Sequence, residues 1–134
     1  MPSSLPALAV PLLLTLALSS CAVIGSHTVA GSGKLVHVVV FWLKSDSPAD
    51  VVERMRTFYL TRVAGHVVGV ESVWFGKPRP SERSVVDDSF ACTSIVRFRD
   101  AAAEAGWQRD PVHDEFKRQF EAHFERVQVY DLVE

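Results

Sequence analysis

From Lys34 to Lys44 the chain reads K-L-V-H-V-V-V-F-W-L-K, a run of β-branched and aromatic residues bracketed by charges, which predicts a strand. Both of its faces are apolar: His37, Val39, Phe41 and Leu43 on one, Val36, Val38, Val40 and Trp42 on the other. A strand with one wet face would alternate with polar residues, so this one is expected to be covered on both sides. Ser45-Asp46-Ser47-Pro48 then predicts a helix start, with Ser47 as N-cap and Pro48 at the first helical position. Val51, Val52, Met55, Phe58, Tyr59 and Val63 continue it as one apolar stripe of about four turns, stopped by Gly65.

Val67 to Gly76 and Ser89 to Arg99 return to strand patterns, separated by the Pro-rich polar loop Lys77 to Ser84. In the latter strand Phe90, Cys92, Val96 and Phe98 share a face opposite Ala91, Thr93, Ile95, Arg97 and Arg99. Asp100 caps an alanine-rich helix through Trp107, and Asp110-Pro111 breaks it and starts another, with Phe116, Phe120 and Phe124 repeating every fourth residue. Arg126 to Val133 closes the pattern as a fourth strand. The order β-α-β-β-α-α-β predicts an α+β fold, a ferredoxin-like sandwich with one four-stranded sheet and helices on one face. A second copy is the economical cover for the other face, which predicts a homodimer.

No charge precedes Lys34, so residues 1–33 are a different kind of sequence from the body. Leu5 to Leu18 is an apolar run too short for the ~20 residues of a membrane-spanning helix, and it ends in Leu18-Ser19-Ser20-Cys21. That ending resembles the lipobox of bacterial lipoproteins, in which the chain is cut before a Cys that carries the lipid. The division is then a signal peptide over 1–20, a flexible Gly- and Ser-containing tether over 21–33, and a domain over 34–134. An ordinary signal peptide with an incidental Cys, or an uncleaved anchor, is the other reading of the leader. The lipoprotein reading implies export to a bacterial cell envelope and membrane attachment through Cys21. Cys92 then has no disulfide partner, and its apolar surroundings predict a buried, inert thiol.

A net charge of −2 gives no general electrostatic reason to bind nucleic acid. Hydrophobic content of 48%, with three Trp and eight Phe, excludes disorder of the body. Gly-rich phosphate loops, nucleophile elbows, CxxC pairs and HExxH are absent from the sequence, so no cofactor is expected. His113 is the imidazole with carboxylates at helical neighbour spacing, Asp110 at i−3 and Asp114 at i+1, an arrangement that could raise its pKa and fix a tautomer. The same triplet could form a weak metal site, or simply a helix start. Trp107 lies across the Asp110-Pro111 break, where a turn of the chain could leave room for a ligand. His37 shares a strand face with Phe41 and reaches that gap only if the face looks toward the helices.

The stretches V-H-V-V-V-F-W-L-K, F-G-K-P-R-P-S-E-R, V-V-D-D-S-F, W-Q-R-D-P-V-H-D-E-F and V-Q-V-Y-D together resemble the stress-responsive A/B barrel (Dabb) family. The resemblance covers Leu35 to Asp131 and implies a ferredoxin-like fold pairing into a dimeric α+β barrel. His37 and His113 match family histidines. In an enzymatic line of the family, a polyketide cyclase, the His at the second position is a base assisted by a Tyr, which here is replaced by Trp107. An indole N–H only donates and cannot exchange a proton as a phenol does. Two functions follow: a dimeric lipoprotein that binds a small apolar ligand or supports stress tolerance, or a cofactor-free enzyme with His113 as general base, His37 beside it, and Trp107, Phe41 and Asp110 lining the pocket.

Overall fold

The computed structural model describes residues 33–134. The leader, Cys21 and nearly all of the tether lie outside the described residues. Strands β1 (Leu35–Leu43), β2 (Val70–Gly76), β3 (Cys92–Phe98) and β4 (Phe124–Val133) form one antiparallel sheet in the order β2-β3-β1-β4. Helices α1 (Val51–Phe58), α2 (Ala101–Trp107) and α3 (Pro111–Phe120) supply the crossovers. This is the ferredoxin-like α+β fold that the element order predicts.

Burial alternates strictly along the central strands. Leu35, His37, Val39 and Phe41 of β1 are buried, as are Cys92, Ser94, Val96 and Phe98 of β3, while their neighbours are half-buried. The buried set packs against Val51, Met55 and Phe58 of α1, Ala103 and Trp107 of α2, and Phe116 and Phe120 of α3. His37 therefore looks toward the helices. The opposite face has no helix over it. Val36, Val38 and Val40 are only half-buried there, and Tyr130 and Leu132, their neighbours in register, are more than half exposed. Trp74 joins them, its indole lying over Gly76, where an added Cβ would come within 2.4 Å of the ring.

Four local expectations change. The first helix begins at Val51, not Pro48, because the half-buried Ser47 hydroxyl donates to the His123 carbonyl (3.3 Å) instead of capping, and its own N–H closes a turn on the Lys44 carbonyl. The stripe then widens into a π turn over Tyr59–Val63, with Ala64 N–H donating to the Tyr59 carbonyl five residues back. The second strand begins at Val70 because Gly69 sits at φ +84°, a bend only glycine adopts freely, and packs against Ala103. Phe124 belongs to β4 instead of the helix, although its ring still stacks in the aromatic cluster, 5.0 Å from that of Phe41. Asp100 and Asp110 cap α2 and α3 as expected, accepting from Ala103 N–H (2.7 Å) and Val112 N–H (2.8 Å).

Candidate functional site

A cavity of about 200 Å³ lies between the sheet and α2–α3. Its walls are apolar: Val39 and Phe41 from β1, Phe116 from α3, and Phe124, Val127 and Val129 from β4. Its polar lining is His37, Tyr59, Gln108, His113, Lys117 and Glu121. Trp107 closes one side. Two histidines 76 positions apart in sequence thus share one small apolar chamber.

Each imidazole is fixed through the same nitrogen. His37, buried on β1, places Nδ1 2.7 Å from Oδ1 of Asp131, its direct partner across the β1–β4 ladder. Its ring meets Phe98 edge-on at 6.2 Å. His113, in the first turn of α3, places Nδ1 3.3 Å from the Gln108 carbonyl and stacks on Trp107 with ring centroids 4.6 Å apart. A carbonyl only accepts, so the bond puts the His113 proton on Nδ1 and leaves the Nε2 lone pair for a ligand. A carboxylate does the same for His37, which leaves Nε2 of both rings as the working atoms.

The electrostatics of His113 differ from the sequence expectation. Asp110 is occupied as the α3 N-cap, and Asp114 pairs with Lys117 at 2.9 Å. Neither carboxylate is hydrogen-bonded to the ring, although the Asp114 charge acts to raise its pKa. Burial is the strongest influence and pushes the His113 pKa below the ordinary 6.5, opposed by the Gln108 carbonyl and helped by the positive charge of Lys117. His113 is therefore a neutral imidazole near pH 7. Asp110 lies outside this cavity and lines a neighbouring one, whereas Phe41 and Trp107 line the cavity with both histidines.

Two polar groups of the site escape a reading of the sequence. Tyr59 is 3% exposed and contributes a phenol where the α1 helix widens, packed against Phe75 and Phe116. Burial raises its pKa above the usual phenol range, so it stays protonated; Ser94, whose buried hydroxyl makes no hydrogen bond of good geometry, lies beside it and offsets part of that rise. Tyr59 reads in the sequence as one more member of an apolar stripe. Asp131 is the other. Its signal is an acidic residue on the strand face that Val127, Val129 and Val133 would make apolar.

The remaining candidates are placed elsewhere. Cys92 is fully buried, and burial pushes its thiol up to about 12, far from any nucleophilic form. His66 is exposed, and Trp42 sits on the open sheet face under the Arg126 guanidinium (3.5 Å), its indole N–H on Ser89. Among the described residues no three His, Cys, Asp or Glu side chains are grouped to hold a metal, and no helix is long and apolar enough to cross a membrane.

The fold is similar to several solved structures. A hydroxynitrile lyase from Passiflora edulis shares 18% identity and a TM-score of 0.63, covering 77% of this chain and 94% of that one. A Dabb family protein from Mesorhizobium loti shares 21% identity and a TM-score of 0.61, over 76% and 97% of the two chains. A dimeric protein of unknown function from Bacteroides fragilis shares 14% identity and a TM-score of 0.62, over 78% and 99%. No curated protein matches the chain in sequence. Residues 35–134 match the model of the stress-responsive A/B barrel domain. With the sheet order, the two inward histidines and that match together, the chain belongs to the stress-responsive A/B barrel (Dabb) family.

Proposed function

We propose that the domain is a cofactor-free acid–base catalyst acting on a small, mostly apolar carbonyl compound held between the sheet and the helices. The observation that carries this reading is the pair of imidazoles, each held through Nδ1 and both lining one largely apolar cavity. In this scheme His113, neutral because it is buried, takes a proton from the carbon next to the carbonyl. The phenol of Tyr59 donates to the carbonyl oxygen on which negative charge develops. Asp131 holds the His37 ring through Nδ1, and the proton taken by His113 exchanges with solvent and returns to the carbon from the His113 imidazolium. The buried walls, Val39, Phe41, Tyr59, Trp107 and Phe116, lower the local polarity around these groups.

The hydroxynitrile lyase of Passiflora edulis is an enzyme on this fold, so the fold can house catalysis, although fold alone assigns no activity. Deuterium exchange at the α-carbon of 2-hexanone in D2O tests the reading. Wild-type protein should accelerate exchange over buffer, and His113→Gln should remove most of the acceleration. No acceleration by the wild type overturns catalysis of this kind and leaves ligand binding as the function.

Two further parts complete the proposal. The domain pairs through its open sheet face, where Trp74, Tyr130 and Leu132 are exposed next to the valines of β1. Relatives from Bacteroides fragilis and Thermobifida fusca described as dimeric support that assembly. The leader and Cys21 attach the protein to a bacterial envelope membrane, as the L-S-S-C sequence suggests.

A further inference from the structure

A second cavity of about 240 Å³ lies beside the first, lined by Val67, Val68, Ala102, Ala103 and Gly106, with Arg99 and Asp110 at its polar end. The two cavities have a single lining residue in common, Trp107. Its side chain is 2% exposed, and the His113 ring stacks on it from the first cavity. On this second side the space opens to solvent: Val68 is 77% exposed, and Ala102 and Gly106 are exposed as well.

We infer that Trp107 is a partition that fixes the length of the ligand, and that the open groove behind it can take an alkyl chain. This deepens the proposed function and rests on it. The first chamber alone is smaller than the ~300 Å³ at which pockets for drug-sized molecules begin, so with Trp107 in place the site selects a short-chain or single-ring carbonyl compound. With a smaller residue there, the two volumes join; His37 keeps Asp131 and His113 keeps the Gln108 carbonyl, while His113 loses the indole on which it stacks. Trp107 is a specificity residue.

The n-alkyl methyl ketones from 2-butanone to 2-dodecanone, titrated into the full chain and followed through the imidazole NMR signals of His37 and His113, test this. In the wild type, affinity should rise about fourfold per added methylene while the first chamber fills, then stop rising. In Trp107→Leu the rise should resume for at least two further carbons. Trp107→Phe, which keeps a buried aromatic ring, gives the same reading with a smaller extension should the leucine variant fail to fold. A wild type whose affinity climbs past 2-decanone without a break overturns the partition, as does a folded variant with an unmoved break point. Ketones that shift neither imidazole in the wild type overturn the pocket itself, and with it the proposed function. Ketone binding without α-proton exchange overturns catalysis only and leaves the partition to be decided by the break point.

Discussion

Nδ1 of His37 stands 2.7 Å from Oδ1 of Asp131, and the two residues are direct partners in the β1–β4 register. The pairing places a carboxylate behind a buried imidazole by backbone geometry alone, since residues opposite each other in a ladder share a face. Asp131→Asn keeps the shape and replaces the carboxylate by an amide that can present its donor to the ring, so the tautomer is no longer fixed. The expected outcome is a fall of at least tenfold in α-proton exchange, within the range of positioned proton transfer. Asp131 has a half-exposed side chain, so the melting temperature should hardly move. An unchanged exchange rate would remove Asp131 from the site.

The depressed pKa of His113 has a signed consequence for stability. Its folded-state value lies below the ordinary 6.5, so the unfolded chain binds the proton more readily. The His113 contribution to stability is complete above the unfolded value and is lost as pH falls from about 6.5 through the folded value. His113→Gln should therefore flatten the decline in melting temperature on going from pH 7.5 to pH 5. A decline as steep in the variant as in the wild type would show that other groups govern that window.

Asp110 is an N-cap, not a ligand-binding residue of the first cavity. Asp110→Ala should cost about 1 kcal/mol in urea unfolding while binding of 2-hexanone, read by NMR, stays within twofold of wild type. A loss of ketone binding without loss of stability would return Asp110 to the pocket.

Replacing Tyr130 and Leu132 together by Asp puts charge on the open face without touching the cavity wall, which β4 builds from Val127 and Val129. Light scattering of the variant at micromolar concentration should give a monomer where the wild type gives a dimer. Equal masses for the two would place the interface elsewhere.

Cys21→Ser tests the anchor. The wild type should partition with membranes and carry the mass of a lipid, and the variant should do neither. Identical mass and partitioning would identify the leader as an ordinary signal or an uncleaved anchor.

The fold was legible because its evidence is periodic. Val36 to Trp42 shows two apolar faces, Asp100 and Asp110-Pro111 mark helix starts, and the third strand alternates cleanly from Phe90 to Phe98. The site was legible only in part. His113, Trp107, Phe41 and His37 carry signals in residue type and spacing, but the direction of the His37 face depends on which side of the sheet the helices choose, and either crossover face suits a strand apolar on both. The carboxylates beside His113 misled in part because spacing cannot tell that Asp110 already accepts from the Val112 backbone N–H and that Asp114 pairs with Lys117. Tyr59 was hidden by a π turn, which has no simple sequence mark, and Asp131 by a register that only three-dimensional pairing sets.

The β1–β4 ladder also dictates when the site can exist. His37 and Asp131 are 94 positions apart, and β4 is an edge strand held on one side only, by β1. Closing so long a loop is entropically costly and tends to come late in folding. A chain emerging from the ribosome can therefore build β1, the α1 crossover and β3 while the chamber is still open to water. Fraying of β4 would reopen it by removing Asp131, Val127 and Val129 together, before the rest of the domain unfolds. Hydrogen exchange of the β4 amides would time that opening.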